Sequence, residues 1–212
     1  MAANPRPYSD TMAPDKDIMI ADSDAQMLTT ALGRRSLVLV GMMGAGKSSI
    51  GRKLAQRLNL PFVDADTEIE RAAGMSIIDI FGKHGEPYFR AGEARVIARL
   101  LDSGPQVLAT GGGAFMHPQS RDAIRAKGIS VWLKADYEVL MKRIKRRNDR
   151  PMLKTEDPGE TLRGLLRERD PVYAEADVTV HSRDVPHEII IGEIISAVVP
   201  RLDNLSAGVR AS

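Results

Sequence analysis

The chain has 212 residues, of which 30 are Lys or Arg and 28 are Asp or Glu, so its formal net charge at pH 7 is only +2. This length predicts one domain with a substantial core, and the near balance of charge argues against a general nucleic-acid or membrane binder. The absence of cysteine excludes disulfides, thiolate ligands and cysteine nucleophiles, and is compatible with the cytoplasm. No run of about 18 apolar residues is present, so we expect no transmembrane helix.

Residues 1–32 are predicted to be an extension outside the folded domain. They are rich in Pro, Asp, Ser and Ala, show little periodicity, and resemble neither a signal peptide nor a transit peptide. We expect this extension to be mostly disordered, with a helical turn at 24–32. The folded domain is then predicted over 33–202, with a frayed tail at 203–212.

Residues 41–48, GMMGAGKS, match the Walker A pattern GxxxxGK[ST]. An apolar run at 36–40 precedes the pattern and a helical pattern at 50–58 follows it, which is the strand, loop and helix context that the motif requires. Its glycines allow the backbone amides to converge on phosphate, and the following helix adds the positive end of its dipole. The chain is therefore predicted to bind a nucleotide such as ATP. The expected phosphate-binding residues are Gly44, Ala45, Gly46, Lys47, Ser48 and Ser49, with Lys47 on the β and γ phosphates and Ser48 on Mg²⁺.

Two aspartates follow the Walker motif at the end of the predicted second strand, 60–66. Asp64 and Asp66 are two residues apart, so an extended chain would place both carboxylates on one face. One can then hold Mg²⁺, while the other addresses a substrate hydroxyl. The alternative is that Asp66 only caps the helix that begins at Thr67.

Further along, the sequence predicts a short helix at 76–81 that Ser76 caps, and a longer helix at 86–101. Arg90 in the longer helix can grip a carboxylate with both ends of its guanidinium. It can also form a common intrahelical pair with Glu93, three residues on, and the two interpretations are compatible.

A third strand, 106–110, leads directly into Gly111, Gly112 and Gly113. Three glycines at the carboxyl end of a strand permit close approach of a ligand, although a flexible turn is an equal alternative. A helix at 117–127 and a fourth strand at 129–133 follow.

Asp136 is the predicted cap of a basic helix that reaches about residue 147. Residues 148–160 contain two prolines and lack helical periodicity, which predicts a mobile lid. Arg146 lies just before this segment and Arg150 lies within it. The two arginines resemble part of a nucleic-acid-binding patch. Beside a nucleotide site, however, we favour the interpretation that an arginine closes over the phosphates. Arg169 lies at the end of the next predicted helix, 160–169, where a solvated helix end is the stronger interpretation for that residue alone. A fifth strand at 176–180 and a helix at 187–199 complete the pattern.

This alternation of strands and helices predicts an α/β fold with a doubly wound parallel sheet of about five strands. The four histidines show no metal-ligand spacing, and we interpret each as a surface or structural residue.

Taken together, these motifs resemble the shikimate kinase family from about residue 35 to residue 202. The resemblance rests on the ordered set of short motifs at 41–48, 64–66, 81–93, 109–113, 150–153 and 169–173. It implies the P-loop NTPase fold of the nucleoside monophosphate kinase type with a mobile lid. It also implies a monomeric, cytoplasmic enzyme that uses ATP and Mg²⁺ to phosphorylate the 3-hydroxyl of shikimate, in the pathway to chorismate and the aromatic amino acids.

The resemblance assigns a role to each site residue. Lys47, Asp66 and Arg150 would be catalytic, with Asp66 on the substrate hydroxyls and Arg150 as the lid arginine. The substrate site would comprise Asp66, Arg90, Gly111, Gly112, Gly113 and Arg169, with the two arginines on the carboxylate. Asp64 would support Mg²⁺ beside Ser48, while Arg146 and Arg183 would lie on the adenine side. Met152 departs from the leucine usual in the family.

Two rival functions remain open on the sequence. Another small-metabolite kinase of this fold, such as a gluconate kinase, would share the Walker loop but has no evident need for Asp66, Arg90, Gly112 and Arg169 in this order. A non-catalytic nucleotide-binding or nucleic-acid-binding relative is the second rival. The complete catalytic set argues against a non-catalytic nucleotide-binding protein. The balance of charge argues against a nucleic-acid-binding protein.

Overall fold

The computed structural model describes the backbone of residues 16–146 and 157–210 and the side chains of residues 23–146 and 157–202. The five strands, in chain order, are β1 (Ser36–Val40), β2 (Phe62–Asp64), β3 (Val107–Ala109), β4 (Gly128–Lys134) and β5 (Val178–His181). They form one sheet in the order β2-β3-β1-β4-β5, and every pairing is parallel. The predicted fold class is therefore confirmed.

The helices, in chain order, are α1 (Lys16–Leu32), α2 (Lys47–Arg57), α3 (Ala65–Ala73), α4 (Ile77–Asp102), α5 (Pro118–Lys127), α6 (Tyr137–Lys145), α7 (Pro158–Tyr173) and α8 (His187–Arg210). A short 3-10 turn, Ala114–Met116, separates β3 from α5. All five residues of the central strand β1 are buried, so helices cover both faces of the sheet, as expected for parallel strands with continuous apolar sequence. This arrangement leaves the carboxyl edge of the strands as the place for a ligand.

Helix α1 corrects the prediction of a disordered extension for residues 16–32. Ala25, Leu28 and Leu32 are all buried in the core, and their spacing of three and four residues places them on one face of the helix. This face packs on α8, and the Thr29 hydroxyl donates to the carbonyl of Leu58 at 3.3 Å. The sequence did not reveal the helix because its stability comes from packing on a distant segment rather than from local propensity.

The predicted frayed tail is also wrong for the backbone of residues 203–210, because α8 continues to Arg210. Four buried residues at intervals of four, Ile190, Ile194, Val198 and Leu202, hold this helix against the core. The helical backbone then continues from Leu202 to Arg210.

Helix α4 joins the two helices that the sequence predicted at 76–81 and 86–101. Gly85 interrupts it with φ 78° and ψ 173°, so the element is two helical segments across a kink. The Ser76 hydroxyl accepts from the amide of Asp79 at 3.1 Å, as the predicted cap requires. Asp136 occupies the cap position of α6 but makes no side-chain capping bond.

Candidate active site

The Walker segment adopts the compact backbone that its glycines allow. Gly41, Gly44 and Gly46 have φ values of 131°, 84° and 94°, which are accessible to glycine at little cost. A Cβ atom at Gly41 would lie 2.7 Å from the carbonyl oxygen of Leu133. The loop therefore packs directly against β4, and it ends where α2 begins without a side-chain cap. Uncapped amides and the helix dipole at this end suit an anion.

Lys47 begins α2 and is only 8% exposed. Its Nζ donates to the carbonyl oxygens of Gly41 at 2.7 Å and Met42 at 3.0 Å. These bonds hold the ammonium group inside the loop that it follows in sequence. The positive charge is thus placed beside the amides that would surround a phosphate.

Ser48 and Asp64 meet at the carboxyl edge of the sheet, where the Ser48 hydroxyl donates to Asp64 Oδ2 at 2.7 Å. Asp64 also caps α3, because its Oδ1 accepts from the amide of Asp66 at 3.1 Å. The helix begins at Ala65, so Asp66 lies in its first turn and the predicted extended geometry of Asp64 and Asp66 is wrong. Strand β2 is too short to include Asp66, yet both carboxylates line the same cleft.

The three glycines after β3 allow functional side chains to approach the backbone closely. A Cβ atom at Gly111 would lie 2.8 Å from Asp66 Oδ1 and 2.9 Å from Glu93 Oε1. A Cβ atom at Gly113 would lie 2.3 Å from Arg90 Nη2. Any larger residue would displace these groups, so the segment has a packing role that a flexible turn alone would not require.

Arg90 and Glu93 form a buried pair on α4. The Arg90 Nη1 donates to Glu93 Oε2 at 2.7 Å, and Glu86 Oε1 accepts from Nε and Nη2 at 3.1 and 3.0 Å. Burial alone would lower the pKa of Arg90, but Glu93 and Glu86 raise it, so the guanidinium stays charged. Burial raises the pKa of Glu93 despite the opposing effect of Arg90. Glu93 Oε1 has no hydrogen-bond partner within the described part of the chain.

Arg169 corrects the interpretation of a solvated helix end, because α7 continues to Tyr173 and Arg169 is only 6% exposed. Its Nη1 lies 3.5 Å from the carbonyl oxygen of Gly112. Tyr173, one turn later on the same face, donates its hydroxyl proton to that same oxygen. Burial raises the pKa of Tyr173 to about 12, so the hydroxyl remains a donor. Arg169 Nε is buried and finds no partner among the described residues.

A cleft of about 430 Å³ extends along the carboxyl edge of the sheet. It joins the Walker loop to Asp66 and the first two of the three glycines, and its far end is bordered by Arg143, Arg146, Arg183 and His187. Arg183 pairs with Glu193 on α8, with its Nη1 3.0 Å from Glu193 Oε2. Arg146 is exposed at the end of α6.

Sequence reasoning missed Arg143. Its Nη1 donates to Ser182 Oγ at 2.8 Å and lies 3.3 Å from the carbonyl of Gly44, while its Nη2 donates to the carbonyl of Arg183 at 2.8 Å. Burial lowers the pKa of Arg143 although Asp184 opposes this effect. The sequence did contain a signal for Arg143. It lies three residues before Arg146, which was already a candidate, and residues three apart on a helix are neighbours.

The predicted lid falls largely outside the described residues. Residues 148–156, including Arg150 and Met152, lie outside the described residues. The role of Arg150 therefore stays a prediction. The described end of the segment is helical, because Asp157 caps α7 through the amides of Gly159 and Glu160 at 2.9 Å each. The predicted boundary at 160 is therefore wrong, and α7 begins at Pro158.

The parallel sheet and the Walker loop at its carboxyl edge define a P-loop nucleotide-binding protein. A family model described as shikimate kinase matches residues 43–199. The shikimate kinase of Bradyrhizobium diazoefficiens is 61% identical over 184 residues, which are 87% of this chain and 89% of that protein. The chain belongs to the shikimate kinase family.

Solved structures agree with this assignment. A shikimate kinase from Acinetobacter baumannii in complex with shikimate is 40% identical, with a TM-score of 0.73 over 76% of this chain and 91% of that chain. A gluconokinase from Sinorhizobium meliloti is 22% identical, with a TM-score of 0.52 over 84% of this chain and 96% of that chain. The second likeness shows the shared fold alone.

Proposed function

We propose that this protein transfers the γ-phosphate of ATP to the 3-hydroxyl of shikimate, giving shikimate 3-phosphate and ADP for the biosynthesis of chorismate and the aromatic amino acids. The observation that carries the proposal is the arrangement around Gly111, Gly112 and Gly113. These residues bring Asp66, Arg90 and Arg169 to one strand end beside the Walker loop. Shikimate is a small carboxylate with several hydroxyls, which suits two arginines and one aspartate.

The phosphate side of the reaction depends on the Walker loop. Its amides and Lys47 would hold the β and γ phosphates and stabilise the charge that develops during transfer. Arg146 and Arg183 would border the adenine, and Arg150 would reach the phosphates from the lid. Because the loop and Lys47 are already placed before the reaction, little reorganisation of these groups is needed at the transition state.

The Ser48 hydroxyl and the Asp64 carboxylate are hard oxygen donors that lie 2.7 Å apart, which suits Mg²⁺. No group of three or more acidic or histidine side chains is available to hold a metal within the described ranges. A kinase magnesium site typically uses one or two carboxylates, water and substrate phosphates. Bound there, Mg²⁺ supplies positive charge that neutralises the phosphates.

The substrate side depends on side chains from three helices. Arg90 and Arg169 would bind the carboxylate, and the backbone of Gly112 would line the pocket between them. Asp66 would then accept a hydrogen bond from the 3-hydroxyl and orient or deprotonate it for attack. Asp66 and Gly112 line the cleft beside the Walker loop, and Arg169 reaches Gly112 from behind it.

We further propose that the enzyme works as a monomer in the cytoplasm on a small-molecule substrate, without nucleic acid or membrane as a partner. No helix within residues 16–146 and 157–210 is long and apolar enough to cross a membrane. Sedimentation at the mass of one chain, 23.2 kDa, would support the monomer.

The test is ADP release with MgATP and a panel of shikimate, gluconate and nucleoside monophosphates. We expect turnover with shikimate only. Arg90→Ala should lower kcat/KM for shikimate by about a hundredfold, because a carboxylate loses a charged partner. Arg95→Ala is the matched control, since Arg95 is exposed on the same helix and should retain activity.

Other outcomes of this assay separate the rival functions. Turnover with gluconate or a nucleotide in place of shikimate would contradict the proposed substrate and retain the kinase. Binding of ATP without turnover of any acceptor would identify a non-catalytic relative.

A further inference from the structure

Arg121 on α5 contacts the turn that follows the three glycines. Its Nη1 donates to the carbonyl oxygens of Phe115 and Met116, each at 2.8 Å. These oxygens belong to the 3-10 turn Ala114–Met116. The last carbonyl groups of a helical turn have no backbone amide within the turn to bind. A guanidinium donor that serves both carbonyls therefore fixes the position of the turn relative to α5.

The other side of Arg121 faces the end of α7. Its Nε forms an ion pair with Glu175 Oε2 at 3.5 Å but has no hydrogen-bond partner among the described residues, whereas Arg125 donates to the same oxygen at 2.7 Å. Glu175 follows the end of α7 and its amide donates to the carbonyl of Val172 at 3.1 Å. Arg121 thus links the turn after the glycines to the helix that carries Arg169.

This link affects the distance between the two arginines of the proposed carboxylate site. Arg90 packs over Gly113, directly before the turn, whereas Arg169 belongs to α7 and reaches Gly112. Arg90 is carried by α4, so movement of the turn would act on it through Gly113 and would change the spacing of the two guanidinium groups. Small displacements of this kind weaken binding strongly when two groups hold one ligand.

We propose that Arg121 is a positioning residue for the substrate carboxylate: it holds the turn Ala114–Met116 against α5 and, with Glu175, against the end of α7, so that Arg90 and Arg169 converge. The inference rests on the proposed function and adds a residue that touches neither substrate nor nucleotide. Arginine suits the role because its planar fork can serve carbonyls and a carboxylate at once, which lysine does less well.

The test compares Arg121→Met, Arg121→Lys and the control Arg125→Met in steady-state kinetics. Arg125 pairs with the same Glu175 oxygen, and no bond from it to the turn is found among the described residues. We expect Arg121→Met to raise KM for shikimate about tenfold while KM for ATP stays within about twofold of wild type. Arg121→Lys should recover only part of the affinity, because its ammonium group cannot serve the carbonyls and the carboxylate as a planar fork does, and Arg125→Met should resemble wild type.

A binding measurement accompanies the kinetics. Trp132 is the single tryptophan of the chain, and its ring stacks on that of Tyr173 at 5.8 Å. Its fluorescence should therefore report shikimate binding without turnover. The dissociation constant of shikimate should rise in Arg121→Met by the same factor as KM, and the melting temperatures of all variants identify any loss of folding.

The results distinguish this inference from the proposed function. If wild-type protein turns over shikimate but Arg121→Met leaves its KM and dissociation constant unchanged, the inference alone is wrong. An equal rise of both KM values, shared by Arg125→Met, would also overturn it, since that pattern indicates general loosening. Failure of wild-type protein to turn over shikimate would overturn the proposed function and this inference with it.

Discussion

At the scale of single residues, the three glycines after β3 control the approach of different groups. A Cβ atom at Gly113 would meet the guanidinium of Arg90, whereas one at Gly111 would meet Asp66 and Glu93. Neither glycine has a positive φ in the described backbone, so alanine fits the backbone at both positions. Substitutions here therefore separate carboxylate binding from hydroxyl activation.

We expect Gly113→Ala to raise KM for shikimate about tenfold with a smaller effect on kcat, because Arg90 must move away from the new methyl group. Gly111→Ala should lower kcat more than Gly113→Ala does, because it displaces Asp66 as well as Glu93, the partner of Arg90. Initial rates over a range of shikimate concentrations at saturating ATP measure both effects. Identical changes in KM and kcat for the two variants would contradict separate roles.

At the scale of elements, α1 shows how a segment of weak pattern becomes part of the core. Leu28 is fully buried, while Met27 beside it on the helix is 54% exposed. The helix packs on α8 and reaches Leu58 at the end of α2. It therefore supports the two helices whose first turns border the cleft.

Leu28→Ala should lower the free energy of unfolding by about 3 kcal/mol, since it removes buried methyl groups and leaves a cavity. Met27→Ala is the matched control on the solvent side, and we expect a change of less than about 0.5 kcal/mol. Urea unfolding of both variants tests this. Equal, small effects would show that α1 does not contribute to the folded core.

At the scale of the whole molecule, Asp177, which directly precedes β5, connects β4 with α8. Its Oδ2 accepts from the amide and hydroxyl of Ser130 on β4 at 2.9 and 2.7 Å, and its Oδ1 accepts from Arg201 on α8 at 3.1 Å. Burial alone would raise the pKa of Asp177, but these bonds together lower it. A lowered pKa in the folded state means that the ionised carboxylate stabilises the fold above its unfolded pKa of about 4, and that this stabilisation is lost as the pH falls.

Asp177→Asn should therefore cost about 2 kcal/mol at neutral pH. The difference from wild type should shrink as the pH is lowered from about 5 towards 3, because the unfolded wild-type chain then binds a proton at Asp177 that the folded chain binds only at lower pH. Unfolding by urea at a series of pH values measures the difference. A difference that is independent of pH would show that the charge of Asp177 does not stabilise the fold.

The sequence by itself determined the parallel sheet and its five strands, because continuous apolar runs that alternate with helical periods have few other solutions. It also located the Walker loop, since the glycines and Lys47 act through local backbone geometry. It also identified Asp66, Arg90 and Arg169 as candidate site residues. Each had a structural alternative that the sequence left open: a helix cap for Asp66, an intrahelical ion pair for Arg90 and a solvated helix end for Arg169.

Only the tertiary structure decided how those candidates meet. The extension of α7 to Tyr173 brings Arg169 and Tyr173 to the carbonyl of Gly112, which is distant in sequence. The same holds for α1, whose apolar face has no partner until α8 is folded, and for Arg121, whose acceptors are backbone carbonyls without a signature in sequence. Local chemistry is readable along the chain, whereas contacts between distant segments appear only once the fold brings them together.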